Sequence, residues 1–170
     1  FGNKKEFISQ ALNIKNMCEQ NNKTFIINDR IDEALEVMPQ GIHVGRNDMP
    51  VKDCRKLFPK NFIIGNSNAT FEECIISEKL STSYIAVGSL FETKSKKDTI
   101  PSSLNVIKEL KGTNFKKQIV GIGGITRDKV SKILEAGADS ICISSSITLS
   151  KDPGKEANKI KEIIENYEKK

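Results

Sequence analysis

Six short apolar runs rich in β-branched residues recur along the chain, separated by amphipathic stretches, and this alternation restricts the fold more than any other feature. The runs at residues 24–28, 41–45, 62–65, 84–88, 118–123 and 140–144 are predicted strands. Helices are predicted between them at residues 32–37, 52–57, 71–79, 103–110 and 127–135. A further helix, 3–19, precedes the first strand, and another, 155–170, closes the chain. Near-continuous apolar strands alternating with helices form a parallel sheet covered by helices, because each crossover must return the chain to the same end of the sheet. Most intervals between strands are roughly 20 residues, compact for β/α units, which fits a small barrel or a doubly wound sheet.

Local chemistry marks several boundaries. Thr70-Phe71-Glu72-Glu73 reads as a capping box, Thr126 as the cap of the next helix, and Ala136-Gly137 as a helix stop. Val130, Ile133 and Leu134 share one helical face, as do Ala157, Ile160, Ile164 and Tyr167. No interdomain linker is visible, so residues 1–170 are expected to form a single domain. The one longer connection, 92–103, is a candidate active-site loop.

Composition narrows the function. Cys18, Cys54, Cys74 and Cys142 show neither disulfide nor metal spacing, and there is one His, which argues against zinc and for a reducing, cytoplasmic setting. No apolar run approaches a membrane span, so no membrane partner is expected. The net charge of +5 is spread over helix faces, dense only at Lys96-Lys97, Lys116-Lys117 and the C-terminus, with no interleaved aromatic platform. An anionic small molecule is therefore a better partner than nucleic acid.

In parallel β/α folds ligands sit at the carboxyl ends of strands, so the strand ends were read in turn. Gly121-Ile122-Gly123-Gly124-Ile125 leads into a helix; its glycines serve either a tight turn or the close approach of backbone N–H groups to a phosphate. The next strand ends in Ser144-Ser145-Ser146, which serve either to cap a helix or to bind phosphate, since phosphate sites in barrels are commonly built from the last two strand-end loops. Asp29 and Asp48 end two neighbouring strands; as hard oxygen ligands they suit Mg²⁺, and as turn residues they also need no ligand. Ser67 follows Gly65-Asn66 at another strand end, while Thr93, Lys94, Ser95 and Lys96 lie in the long connection. His43 lacks triad partners and reads as structural, and Arg30 as one half of a local ion pair.

Taken together, Ile27-Asn28-Asp29-Arg30, His43-Val44-Gly45 with Asp48-Met49-Pro50, Ile64-Gly65 with Ser67, Val87-Gly88 with Phe91, Thr93, Ser95 and Lys96, and the turn 121–125 resemble the thiamine phosphate synthase family from residue 24 to about 147. The resemblance implies a (β/α)₈ TIM barrel of which this chain supplies strands three to eight, N-terminally incomplete, with the first β/α unit and the second strand missing. It implies a transferase that joins a hydroxymethylpyrimidine diphosphate to a thiazole phosphate, releasing diphosphate through a pyrimidinyl cation. It further implies that Asn28 contacts the pyrimidine, that Asp29 and Asp48 hold Mg²⁺, and that Ser67 and Lys96 meet the diphosphate as the catalytic contacts. Thr93, Lys94 and Ser95 would line the thiazole phosphate site, and Gly124, Ser144 and Ser145 would bind that phosphate.

The family's glutamine-arginine-glutamate-lysine segment has no counterpart here, its sixth-loop prolines are Ser89 and Glu92, a threonine of that loop is Ser95, and the glutamine after His-Val-Gly is Arg46. Two alternatives remain: a thiazole tautomerase-like enzyme, against which Asp48 and Ala69 speak, and a non-catalytic phosphate-ligand binder. Oligomeric state, a homo-oligomer included, is left open. An eight-strand barrel short of two strands would expose two sheet edges, so the chain on its own is expected to be poorly soluble or partly unfolded, and inactive.

Overall fold

In the computed structural model, which describes residues 3–93 and 100–169, every expected strand forms and all lie parallel. They are β1 (Ile26–Asn28), β2 (Gly41–Val44), β3 (Ile63–Asn68), β4 (Tyr84–Val87), β5 (Gln118–Ile122) and β6 (Ser140–Cys142). The helices are α1 (Lys4–Gln20), α2 (Ile31–Val37), α3 (Val51–Leu57), α4 (Phe71–Glu78), α5 (Leu104–Lys111), α6 (Val130–Glu135), α7 (Ser145–Thr148) and α8 (Pro153–Glu168).

The expected (β/α)₈ barrel is not what forms. Six strands make one parallel sheet in the order β1-β2-β3-β4-β5-β6, and β1 and β6 each have a single strand neighbour among the described residues. Closure needs strand number, tilt and stagger to agree all the way round; the described strands instead form a six-strand α/β sheet. These strands are therefore not strands three to eight of a (β/α)₈ barrel, and the expectation that the chain alone is inactive, which rested on that barrel, loses its ground.

The described residues fall into two compact units, one running to Ser67 and including Lys79–Ser83, the other taking Asn68–Glu78 and the chain from Tyr84 onward. In the first, Ile27, Ile42, Val44 and Ile64 pack with Ile31, Ala34, Val37, Val51, Cys54 and Ala11 into a buried cluster. Register pairs Ile27 with Ile42 and Ile42 with Ile64, so these side chains share the helix-covered face. The alternate residues, Asn28, His43 and Gly65, are likewise in register and face the other way. Ser67, two residues beyond Gly65 within β3, falls on that same face. Arg30 pairs with the buried carboxylate of Glu33, the local ion pair expected.

In the second unit Ile85, Val87, Ile119, Ile107, Leu110, Val130 and Ile133 form the core. Gly121 lets α6 approach: a Cβ there would stand 2.6 Å from the Ile133 methyl. The capping box is present, Thr70 Oγ1 accepting the Glu73 N–H at 3.3 Å and the Glu73 carboxylate accepting the Thr70 N–H at 3.3 Å. Thr126 does not cap as expected. It stands at the N-cap of a 3-10 turn, Arg127–Lys129, but its hydroxyl donates to Asp128 at 2.7 Å and holds that carboxyl below its usual range. Gly137 supplies the expected left-handed stop after α6, at φ +103°. α8 starts earlier than the sequence reading, because Asp152 caps it by accepting the Lys155 N–H at 2.9 Å and Pro153 opens its first turn.

Candidate active site

Two clusters of polar groups stand at the carboxyl ends of the strands, one in each unit. In the first, β1 ends at the exposed Asn28, and Asp29 turns the chain into α2 with φ +63°, a left-handed conformation that short polar residues tolerate. The Asp29 N–H donates to the His43 carbonyl at 2.9 Å, carrying the β1–β2 pairing one residue further, and the Ile31 N–H donates to the Asp29 carbonyl at 3.1 Å. After β2, Asp48 folds back, its Oδ2 accepting the Gly45 N–H at 2.6 Å. A Cβ added to Gly45 would stand 2.8 Å from Asp48 Oδ2 and 3.9 Å from Asp29 Oδ1. The absence of a side chain at position 45 is thus what leaves room for the two carboxylates to gather over one point.

That donor set fits Mg²⁺. Two carboxylates with hard oxygens, supplemented by substrate phosphate and water, are the usual protein share of a Mg²⁺ shell. Among the described residues no group of three or more His, Cys, Asp or Glu could hold a metal.

Ser67, expected beyond the end of its strand, stands inside β3. Its hydroxyl lies 2.9 Å from His43 Nε2, both residues half-buried. His43, read as structural, therefore contacts one of the candidate residues. The same-face register of β2 and β3 was the available signal, obscured because Gly65-Asn66-Ser67 does not look like strand sequence.

In the second unit the glycine turn follows β5. Gly123 and Gly124 have φ +98° and +62°. A Cβ on Gly124 would meet the Glu92 carbonyl oxygen at 2.4 Å, and one on Gly123 the Ser89 hydroxyl at 2.4 Å, so glycine is required by conformation and by space. The Leu90 N–H donates to the Ile122 carbonyl at 3.0 Å and the Phe91 N–H to that of Gly123 at 3.1 Å, which seats the segment leading to Thr93 beside the turn. Pairing of Ile122 with Cys142 sets the turn next to the end of β6, where Ser144 precedes the one-turn helix α7 that begins at Ser145. Among the described residues the N–H groups of Gly124, Ile125, Ser145 and Ser146 have no protein acceptor. Adjacent free N–H groups at two neighbouring strand ends are what an anion needs.

Lys129 joins this cluster without a signal in the sequence. Its ammonium donates to the Gly124 carbonyl at 2.9 Å and sits 4.5 Å from the Phe91 ring centroid, tying both walls of the turn together. Nothing in its local sequence, between Asp128 and Val130, announces that reach.

The structure thus gathers Asn28, Asp29, Asp48 and Ser67 in the first unit, and Thr93, Gly124, Ser144 and Ser145 in the second. Lys94, Ser95 and Lys96 lie outside the described residues. Thiol nucleophiles are unavailable in the cores: burial pushes Cys54 up and Cys74 up to about 12.

Comparison with known proteins bears on the family and the fold. The family profile described as thiamine monophosphate synthase matches residues 2–147. The chain is 37% identical over 158 residues to the thiamine-phosphate synthase of Methanocella arvoryzae, spanning 92% of this chain and 74% of that one. It is 41% identical over 152 residues to that of Alkaliphilus oremlandii, spanning 89% and 72%. Among solved structures, thiamine phosphate pyrophosphorylase from Pyrococcus furiosus superposes with a TM-score of 0.89 at 27% identity, over 98% of this chain and 80% of the other. The 3-hexulose-6-phosphate synthase from Salmonella typhimurium, with a TM-score of 0.69 and 17% identity over 92% of this chain and 81% of the other, shares the fold alone. With the family profile, the relatives and the fold in agreement, this chain belongs to the thiamine monophosphate synthase family, and it is a transferase of thiamine biosynthesis.

Proposed function

We propose that this chain condenses 4-amino-2-methyl-5-(diphosphooxymethyl)pyrimidine with 4-methyl-5-(2-phosphoethyl)thiazole, giving thiamine phosphate and diphosphate. The observation that carries this reading is the pair of carboxylates, Asp29 and Asp48, gathered over the bare backbone of Gly45. A paired-carboxylate site suits a diphosphate that arrives with a divalent cation, and a binder of a monophosphate alone has no use for it.

In this reading Asp29 and Asp48 hold Mg²⁺, which when bound offsets charge on the leaving diphosphate. Asn28, at the open end of β1, contacts the pyrimidine, and Ser67 donates its hydroxyl proton to the diphosphate. Lys96 adds a cation to the departing group. The carbon–oxygen bond of the pyrimidine methylene breaks with its electron pair leaving on diphosphate, and the thiazole nitrogen then supplies the pair for the new carbon–nitrogen bond. A resonance-stabilised cation needs no strong base, so positioning and charge neutralisation carry the step.

The thiazole phosphate is held by the N–H groups at Gly124 and Ile125 and by the hydroxyls and backbone of Ser144 and Ser145, with Thr93, Lys94 and Ser95 lining its approach. Its role is to fix the nucleophile. The protein is expected to act in the cytoplasm, and among the described residues no helix is long and apolar enough to cross a membrane.

The test is direct. Purified protein with Mg²⁺ and both substrates should release thiamine phosphate and diphosphate in equal amounts. Isomerisation of the thiazole with no condensation would assign the site to a tautomerase, and phosphate binding without turnover to a binder.

A further inference from the structure

Gly65 is the in-register partner of His43 and has no side chain, so the imidazole can reach across to Ser67, two residues further along β3 on the same face. His43 Nε2 and Ser67 Oγ are 2.9 Å apart. The direction of that hydrogen bond has a chemical consequence. A serine hydroxyl owns one proton and two lone pairs. If it gave the proton to Nε2, it would present only lone pairs to whatever stood on its open side, and a phosphate oxygen would be repelled. If Nε2 carries the proton and donates, the hydroxyl proton is free for an anion. The two arrangements differ by the tautomer of one imidazole.

We propose that His43 is a positioning residue that donates from Nε2 to Ser67, fixing the Ser67 rotamer and reserving its hydroxyl proton for the diphosphate. This rests on the reading of Ser67 as a diphosphate contact. His43 itself touches neither substrate in this scheme; it acts through Ser67. The hydroxyl is preorganised as a donor before the ligand arrives, so no hydrogen bond has to be reversed on binding. An amide side chain of similar reach can supply the same donor, and an aliphatic one cannot.

The experiment is a double-mutant cycle on kcat/KM with each substrate varied separately, using Ser67→Ala, His43→Leu, His43→Gln and the doubly substituted Ser67→Ala/His43→Leu protein. Ser67→Ala should lower kcat/KM for the pyrimidine diphosphate by roughly 10- to 100-fold, the range for a hydrogen bond to a charged group. His43→Leu should cost about tenfold toward the same substrate, with the affinity for thiazole phosphate within about twofold of wild type. In the Ser67→Ala background the same His43 change should cost less than about twofold, because its action has lost its carrier. His43→Gln should restore most of the loss.

A full additional loss from His43→Leu in the absence of the Ser67 hydroxyl, or an equal loss toward both substrates, would overturn the inference and leave the Ser67 assignment standing. A Ser67→Ala protein as active as wild type would overturn that assignment, and the inference with it. Should His43→Leu fail to fold, the Gln variant decides: wild-type kinetics support the donor role, and loss of a tenfold factor that persists without Ser67 contradicts it.

Discussion

The first unit presents its candidate site through side chains, the second through backbone. At the ends of β1 and β2 the working groups are the carboxylates of Asp29 and Asp48, and glycine appears at position 45 only to make room for them. At the ends of β5 and β6 the glycines themselves form the candidate site, because positive φ at Gly123 and Gly124 and the start of α7 present N–H groups that have no acceptor among the described residues. The difference matches the proposed ligands. A leaving diphosphate needs charge placed where charge develops, and a monophosphate that only positions a nucleophile needs neutral donors. The two regions should therefore fail differently when altered.

The largest effect is expected in the first. Asp48→Ala and Asp29→Asn should each reduce thiamine phosphate formation by about 10²–10³-fold while leaving thiazole phosphate affinity within about twofold. Asn tolerates the left-handed backbone at position 29 better than Ala, so Asp29→Asn should melt like wild type while Asp29→Ala loses about 1 kcal/mol. Loss of thiazole phosphate binding in Asp48→Ala or Asp29→Asn would erase the contrast between the regions. Gly124→Ala comes next. Strain at φ +62° and the clash with the Glu92 carbonyl should cost about 1–3 kcal/mol in a denaturant melt and raise the KM for thiazole phosphate roughly tenfold. Ser144→Ala and Ser145→Ala remove a hydroxyl and keep the N–H groups, so each should raise that KM only about two- to tenfold.

How much of this was legible in the sequence varies with the kind of signal. The parallel α/β order followed from the apolar, β-branched runs, since burial on the helix-covered face selects Ile27, Ile42, Ile64, Ile85 and Ile119. Both strand-end clusters followed from the rule that ligands meet the carboxyl ends of strands. What the sequence hid were effects of pairing. Asn66 and Ser67 look like turn residues, yet Val44 pairs with Asn66 and draws β3 onward. The incomplete (β/α)₈ barrel was expected from a family pattern, and the described strands form a six-strand sheet instead; no local signal in the chain says how many strands will meet. α7 is a single turn, too short to leave a periodic pattern, and the contacts of His43 and Lys129 depend on neighbours distant in the chain or a turn away.

The smallest effect tests the cores and spares the sites. Burial raises the Cys74 thiol from 9.0 to about 12, so the folded state holds that proton more tightly than the unfolded chain. Its stabilising contribution is complete below the unfolded value and is lost as pH rises toward about 12. Cys74→Ala should flatten the fall of melting temperature in that alkaline window, at the cost of a lower plateau at neutral pH.

The account turns on Asp29 and Asp48 holding one divalent ion. Mn²⁺ titrated into the protein and followed by electron paramagnetic resonance measures this without requiring turnover. The wild-type protein should bind a single ion, more tightly when diphosphate is added, and both Asp29→Asn and Asp48→Asn should lose that binding. Retention of the wild-type ion by either variant, in the presence of diphosphate, would contradict it.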